Sequence, residues 1–391
     1  MPDGSAQSAQ AFLPYGRQDI DEADIAAVVD ALRSDFLTTG PLVERFEREF
    51  AEAVGAPHAV ACSNGTTALH LAVTALDVGA RDICIVPAIT FVATANVCAQ
   101  NRARVVFADV DPVTGLMTEA TLAEALDRAE GAVRAILPVH LCGAPVDMPK
   151  IAALAESCGA VVIEDACHAL GTDTPWGRTG DAGKSDAVCF SFHPVKTLTT
   201  GEGGMVTTRD HRAAWRMRRL RSHGIVREGF AEAPGPWWYE QHELGFNYRL
   251  PDILCALGLS QLKRLPAFIA RRRRLAARYR ALLAPLGNQV QAIPTPEGSD
   301  PSLHLFAVRI DFAAIGKTRA EVQELMARKG IGTQVHYIPV HRQPYWAERS
   351  KSPPLPGADA WYDQTLSLPL YPGMTDTDPA RVVETLAWAI S

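Results

Sequence analysis

Short apolar runs alternate with helical patterns over about 200 residues of this 391-residue chain. Most of the runs are apolar at alternating positions on both faces, which is typical of strands that helices cover on both sides of a mainly parallel sheet. The predicted strands are residues 58–62, 82–86, 104–108, 134–139, 160–164, 187–191 and 205–208.

Helices are predicted between these strands. Residues 41–54 repeat apolar side chains at helical spacing, begin with a proline in the first turn and end before Gly55. Residues 66–76 show the same spacing. The alternation predicts an α/β domain over residues 11–260, with a mainly parallel seven-stranded sheet.

The pattern changes after about residue 260. Residues 261–283 predict a long, arginine-rich helix, in which Arg271 to Arg274 is interpreted as a solvated helix face or a partner contact. A smaller C-terminal α+β domain is predicted over residues 261–391, and residues 1–10 are expected to form a disordered tail. The predicted elements of the C-terminal domain are a strand at 303–310, a helix at 318–329, a strand at 333–337 and a helix at 378–390.

Composition indicates a cytoplasmic enzyme. The formal charge of −6 gives no electrostatic reason to expect nucleic acid. The sequence contains no run of 18 apolar residues, so no membrane span is expected, and residues 1–10 lack the features of a signal peptide. The eight cysteines include no Cys-x-x-Cys pair, and several lie in apolar runs, as expected for small buried side chains in a reducing compartment.

Lys196 is the first candidate for chemistry. It ends residues 191–196 (SFHPVK) and precedes a glycine-rich turn at 199–204 (TTGEGG). Asp165 follows an apolar run that precedes Lys196 by about 30 residues. An amine and a carboxylate in this setting suit pyridoxal phosphate (PLP), because the lysine forms a Schiff base with the aldehyde and the acid keeps the ring nitrogen protonated. Asp165 taken alone is also a candidate helix cap.

Residues 63–68 (SNGTTA) follow a predicted strand and open a helix. Free N–H groups at a helix start favour a phosphate, so Gly65 and Thr66 are predicted phosphate contacts, with Ser191 adding a hydrogen bond. The same turn is also typical of simple N-capping.

Two further side chains are candidate cofactor contacts. His168 comes three residues after Asp165 and is a candidate donor to the phenolic oxygen of the ring, although a lone histidine is usually structural. Phe91 is a candidate to lie flat on the ring, and a core position explains it equally well.

Taken together, these motifs resemble the DegT/StrS-type sugar aminotransferases, which have the aspartate aminotransferase-like (type I) PLP fold. The resemblance extends from Leu13 to about Pro372. The motifs that carry it are 36–41 (FLTTGP), 63–69 (SNGTTAL), 139–143 (VHLCG), 163–171 (IEDACHALG), 191–196 (SFHPVK) and 245–250 (GFNYRL).

This resemblance implies roles at matching positions. Lys196 would carry the PLP, Asp165 would pair with the ring nitrogen, and Gly65, Thr66 and Ser191 would hold the phosphate. Asn247 matches a position that reaches the phosphate from a neighbouring subunit, which implies a homodimer with shared active sites. The family often has glutamine at the position of His168, which some branches replace with histidine.

Finer resemblance points to the branch that acts in pseudaminic acid biosynthesis. It rests on residues 13–18 (LPYGRQ), 89–96 (ITFVATAN), 191–197 (SFHPVKT), 221–225 (RSHGI) and 336–341 (HYIPVH). It implies transfer of the amino group of L-glutamate to C4 of a UDP-linked 4-keto-6-deoxy-N-acetyl hexose. Candidate substrate contacts are Tyr15, Thr38, Arg249, His336, Tyr337 and His341, with Trp237, Trp238 and Tyr239 on a loop that equally suits interface packing.

Three other functions remain as alternatives. A PLP-dependent sugar dehydratase of this fold would have histidine in place of Lys196. A C3 aminotransferase of a dTDP-sugar is a second alternative, because the sequence does not fix C4 over C3. A non-catalytic PLP-fold regulatory protein would tolerate loss of Lys196 or Asp165, and both are present.

Overall fold

The computed structural model describes residues 11–227, 229–230 and 233–391, so the predicted tail at 1–10 lies outside the described residues. Its central sheet consists of β1 (His58–Cys62), β2 (Ile83–Pro87), β3 (Arg104–Ala108), β4 (Val133–Ile136), β5 (Val161–Asp165), β6 (Ala187–Ser191) and β7 (Gly204–Thr208). The spatial order is β1-β7-β6-β5-β4-β2-β3. Strand β7 is antiparallel to both neighbours and the other six run in one direction, which confirms the predicted mainly parallel sheet.

Twelve α-helices occur in the described part of the chain: α1 (Glu22–Arg33), α2 (Pro41–Val54), α3 (Gly65–Ala75), α4 (Val92–Gln100), α5 (Glu119–Asp127), α6 (Met148–Cys158), α7 (His211–Leu220), α8 (Asp252–Leu283), α9 (Arg319–Arg328), α10 (Pro344–Ser350), α11 (Pro356–Gln364) and α12 (Asp378–Ile390). Three short 3₁₀ segments lie at Leu141–Gly143, Ala284–Gln289 and Val340–Arg342. Helix α2 has the predicted bounds because Pro41 suits its first turn and Gly55 ends it in the left-handed conformation, with φ 79°.

Apolar cores lie on both faces of the sheet. Successive side chains of a strand point to opposite faces. In β1, Val60 and Cys62 join one hydrophobic cluster, while Ala59 and Ala61 join another that includes side chains of α2 and the first half of α8. This two-sided burial explains why the strands are apolar at nearly every position.

A third core forms around a small antiparallel sheet of β8 (Val290–Ala292), β9 (Phe306–Ile310) and β10 (Thr365–Leu368). The second half of α8 packs there together with α9 and α12. The predicted α+β elements are therefore present, except for one strand. The predicted boundary at residue 260 falls inside α8, which is continuous from one core to the other, so a division at that residue stays a prediction.

The strand predicted at 333–337 is wrong. Gln334 forms a single antiparallel bridge with Ser367 at the end of β10, and the chain then leaves the sheet. Its next polar backbone groups bond elsewhere: the His336 carbonyl accepts from Trp361 Nε1 at 2.9 Å, and the Val340 N–H donates to the Ala88 carbonyl at 2.8 Å. The segment thus crosses from the small core to the large domain.

The interpretation of the arginine run as a solvated face is also wrong for three of its four members. Arg272 is 1% exposed and donates to the carbonyls of His304 and Leu370 at 3.1 and 2.8 Å. Burial lowers the pKa of Arg272 to about 10. Arg271 pairs with Asp376, and Arg273 pairs with Asp300. These side chains attach α8 to the segments around it.

Helix α8 and the residues just after it are long and apolar enough to pass a length-and-composition test for crossing a membrane. The core helix of a globular protein passes the same test. In α8, Leu259 is buried in the core shared with α2 and Leu275 in the core of the small sheet, and the helix packs against α1, α2 and α12. We therefore interpret α8 as a core helix.

Candidate active site

The parallel strands bring the candidate residues to one edge of the sheet, because their carboxyl ends all lie there. Asp165 ends β5, Ser191 ends β6, and the loop that carries Lys196 follows directly. Gly65 opens α3 three residues after β1. The antiparallel strand β7 begins at this same edge with Gly204, opposite both Cys62 and Ser191.

Lys196 lies in a tight loop that backbone hydrogen bonds close. Its N–H donates to the His193 carbonyl at 2.9 Å, and Thr200 N–H donates to the Phe192 carbonyl at 3.0 Å. The side chain is half-buried. Desolvation lowers the pKa of the Lys196 amine, against the opposing effects of Cys167 and Asp165 nearby. A lowered pKa raises the fraction of neutral amine, which is the nucleophilic form.

Asp165 is buried, and each of its oxygens accepts a hydrogen bond. The Cys167 N–H donates to Oδ1 at 3.1 Å, and the Thr94 hydroxyl bonds Oδ2 at 2.7 Å. The Asp165 backbone is fixed as well, since its N–H donates to Pro138 and its carbonyl accepts from His140. A carboxylate held in this way has a defined direction in the site.

His168 is held in one tautomer. The Cys142 N–H donates to Nδ1 at 3.3 Å, so Nδ1 is the acceptor and Nε2 carries the proton. That proton points to the Tyr337 hydroxyl, 3.1 Å away. Burial lowers the pKa of His168 well below its usual value, consistent with a neutral ring. Both nitrogens are therefore engaged, and the hydroxyl proton of Tyr337 is left to donate elsewhere.

Aromatic rings line the approach to Lys196. The Phe91 ring centroid is 6.0 Å from that of Tyr337, and the His336 ring is 4.8 Å from Tyr337 and 5.6 Å from Tyr15. Phe91 is 56% exposed, so the core alternative for this residue does not hold. His336 is buried and bonded to Ser367 at 2.8 Å, and burial lowers its pKa to about 3.

The turn before α3 fits a phosphate group. Asn64 caps the helix by accepting the Thr67 N–H at 2.9 Å, which leaves the N–H groups of Gly65 and Thr66 without intrahelical acceptors. A Cβ on Gly65 would lie 2.7 Å from Ser191 Cβ and 3.2 Å from Cys167 Sγ. The turn is therefore a narrow cradle beside Ser191, and Cys167 links it to Asp165.

An amine of lowered pKa, a fixed carboxylate, an exposed aromatic face and a phosphate cradle lie around one sheet edge. Pyridoxal phosphate presents an aldehyde, a ring nitrogen, a flat ring and a phosphate, so the residues present fit that group.

The other predicted site residues are exposed or half-buried, and none of them forms a hydrogen bond with Lys196 or Asp165 in the described part of the chain. Thr38 and Asn247 are exposed, and Arg249 is half-buried. His341 is half-buried, with its ring 6.2 Å from the ring of Phe107. The loop candidates are also exposed: Trp237, Trp238 and Tyr239.

The structure adds three residues that sequence reasoning missed. Thr94 bonds Asp165 across 71 positions of sequence, and Cys142 bonds His168 through its backbone. His304 is 3% exposed, with its ring 4.5 Å from that of His168. Thr94 and Cys142 lie in the motifs at 89–96 and 139–143, but no local signal indicates their contacts, because each contact depends on how distant segments meet.

Comparison with known proteins identifies the family of this chain. The model of the DegT/DnrJ/EryC1/StrS aminotransferase family matches residues 18–387. The chain is 39% identical over 386 residues to the spore coat polysaccharide biosynthesis protein SpsC of Bacillus subtilis (strain 168), with 97% of each chain covered.

Solved structures are also similar. Helicobacter pylori PseC, an aminotransferase involved in the biosynthesis of pseudoaminic acid, matches with a TM-score of 0.89 at 27% identity over 97% of this chain and 99% of PseC. The PLP-form of the putative sugar aminotransferase Spr1654 from Streptococcus pneumoniae matches with a TM-score of 0.86 at 27% identity over 97% and 98%.

The fold and the site define a PLP-dependent transferase of the type I aminotransferase fold. More narrowly, the chain belongs to the DegT/DnrJ/EryC1/StrS aminotransferase family and is a sugar aminotransferase.

Proposed function

We propose that this enzyme transfers the amino group of L-glutamate to C4 of a UDP-linked 4-keto-6-deoxy-N-acetyl hexose, in the biosynthesis of a surface sugar such as pseudaminic acid. The observation that carries the chemistry is the meeting of Lys196, Asp165 and the Gly65 turn at one sheet edge. The likeness to PseC along nearly the whole chain supports the choice of sugar.

Lys196 would hold the cofactor covalently, and Asp165 would pair with its ring nitrogen. Gly65, Thr66 and Ser191 would hold the phosphate, and Phe91 would cover one face of the ring. Bound PLP supplies an aldehyde that takes up the amino group and a ring that withdraws electrons from the reacting carbon.

The protein's own groups move and orient protons. When substrate nitrogen displaces it, the Lys196 amine becomes free to take a proton from one carbon and return it to another. His168 would keep the Tyr337 hydroxyl in place through Nε2, which leaves the Tyr337 proton free for another acceptor. Tyr15 and His336 lie beside Tyr337 and would contact the sugar. Thr38, Arg249 and His341 stay candidate contacts for the rest of the substrate.

A panel of ketosugars tests the reaction. Purified enzyme with PLP and L-glutamate is incubated with UDP-linked and dTDP-linked 4-keto and 3-keto sugars, and the masses of the products are measured by mass spectrometry. We expect an aminosugar from the UDP-linked 4-keto-6-deoxy-N-acetyl hexose and release of 2-oxoglutarate, with Lys196→Ala as the inactive control.

Other outcomes of the panel would replace the proposal. An aminosugar formed only from a dTDP-linked 3-keto sugar would indicate the C3 alternative. Loss of a hydroxyl without gain of nitrogen would indicate a dehydratase. An enzyme that binds PLP but converts none of the sugars would favour a regulatory protein.

We further propose a homodimer in the cytoplasm, with active sites shared between subunits. Asn247 is exposed and follows Leu244, which is 87% exposed, and Trp237 nearby is 68% exposed. Large apolar side chains with this degree of solvent exposure are suited to burial against a partner subunit. All eight cysteines are free thiols, which agrees with a reducing compartment.

Mixed dimers test the shared site. Lys196→Ala and Asn247→Ala are each expected to be nearly inactive. After mixing and subunit exchange at equal amounts, half of the dimers are mixed, and each has one site with both Lys196 and Asn247. About one quarter of wild-type activity should therefore return. If subunits exchange, as followed with a mass-tagged chain, and no activity returns, Asn247 does not act across the interface.

A further inference from the structure

Thr94 contacts the most important acid of the site, and no role has been assigned to it, although it lies in the 89–96 motif. It is in the first turn of α4, is fully buried, and has its hydroxyl 2.7 Å from Asp165 Oδ2. The opposite oxygen of Asp165 accepts the Cys167 N–H at 3.1 Å. The Cys167 backbone therefore holds Oδ1, and the Thr94 side chain holds Oδ2, so that the carboxylate is fixed in one rotation.

The direction of the hydroxyl proton follows from its neighbours. Thr94 Oγ1 lies 2.7 Å from Asp165 Oδ2, 2.8 Å from Thr90 Oγ1 and 3.3 Å from the Phe91 carbonyl. An ionised carboxylate only accepts hydrogen bonds, and bonds to it are stronger than bonds to a neutral carbonyl. Thr94 thus donates to Asp165, and Thr90 donates to Thr94.

The same helix start also carries the aromatic candidate. Phe91 is the N-cap residue of α4, and the Thr94 N–H donates to its carbonyl at 3.2 Å. One turn of backbone therefore fixes the spacing between the ring of Phe91 and the hydroxyl that orients Asp165. Both groups would meet a flat heterocycle, one at its face and the other, through Asp165, at its nitrogen.

We propose that Thr94 is a positioning residue of the aminotransferase reaction, which holds the Asp165 carboxylate in one orientation and aims it at the ring nitrogen of the cofactor. A hydrogen bond donated by a buried hydroxyl to one carboxylate oxygen fixes the direction in which the other lone pairs of the carboxylate point. This inference rests on the role proposed above for Asp165.

The test compares PLP with an analogue in which C–H replaces the ring nitrogen. Binding of each to the apoenzyme is measured by absorbance titration for wild type, Thr94→Val, Thr94→Ser and Thr90→Val. We expect Thr94→Val to weaken PLP binding about tenfold and to leave binding of the analogue nearly unchanged, since only PLP has the charged nitrogen partner. Thr94→Ser keeps the hydroxyl and should restore PLP binding, while Thr90→Val should have a smaller effect.

The outcomes separate this inference from the proposed function. Equal losses for PLP and the analogue, or no loss for either, would overturn the role of Thr94. Asp165→Asn, measured alongside, reports on the acid itself: if it too fails to distinguish the two ligands, the pairing of Asp165 with the ring nitrogen is wrong. Should Thr94→Val fail to fold, Thr94→Ala takes its place, with analogue binding as the measure of an intact site.

Discussion

Lys196→Ala is expected to abolish covalent attachment of PLP and to reduce turnover by at least about 10²-fold, the lower end of what a positioned acid–base group contributes. The physical reason is that Lys196 has two tasks. In the proposed reaction its half-buried amine, with a pKa lowered by desolvation, would be the nucleophile for the aldehyde, and the same amine would then move the proton between carbons. Borohydride reduction followed by peptide mass spectrometry locates the attachment, and glutamate turnover measures the rate.

Lys150→Ala is the matched control. The side chain of Lys150 is 58% exposed, and its nearest carboxylates are 3.6 and 3.7 Å away. The Lys150→Ala substitution should therefore change neither the attachment of PLP nor the glutamate turnover. A reduced PLP adduct on another lysine of the Lys196→Ala protein, with turnover close to wild type, would contradict the role assigned to Lys196.

Three histidines surround the approach to Lys196 without adding charge to it. Burial lowers the pKa of His168, His304 and His336, in each case with a further lowering effect from Lys196 itself. They are therefore neutral near pH 7 and act through hydrogen bonds and ring contacts. This arrangement leaves Asp165 as the charged group that faces the amine from β5, in keeping with an acid that pairs with a cofactor cation.

Much of the large domain is predictable from the sequence because its strands are buried on both faces. Apolar runs identify the seven strands to within three residues of their observed bounds. The small domain is less predictable. Residues 333–337 look like a strand, yet the backbone groups of His336 and Val340 bond to Trp361 and Ala88. No local pattern carries that information.

The residues of the site also differ in how far the sequence predicts them. Lys196 and Asp165 stand next to glycine-rich turns and strand ends, which give strong local signals. His168 was predicted from its spacing, but its tautomer depends on the Cys142 backbone 26 residues away. Arg272 lies in a run that indicates a solvated face, and only the packed structure reveals that its charge is directed at buried carbonyls.

Asp165→Asn should fold normally and lose most turnover, by about 10²-fold or more. Asparagine has the same shape and retains an oxygen to accept the Cys167 N–H, while the Thr94 hydroxyl can rotate to suit either end of the amide. What the variant lacks is negative charge, so the ring nitrogen is no longer kept protonated and the ring withdraws electrons less. Turnover with glutamate and the thermal midpoint of unfolding are the two measurements.

Asp186→Asn is the matched control, because Asp186 lies at the opposite end of the same pair of strands. Its Oδ2 accepts the Val162 N–H at 2.8 Å, so it supports β5 by a hydrogen bond without facing the site. Loss of a carboxylate there should leave turnover close to wild type. If Asp165→Asn kept near-normal turnover with an unchanged unfolding midpoint, the charge of Asp165 would have no part in the reaction, and the ring nitrogen would need a different partner.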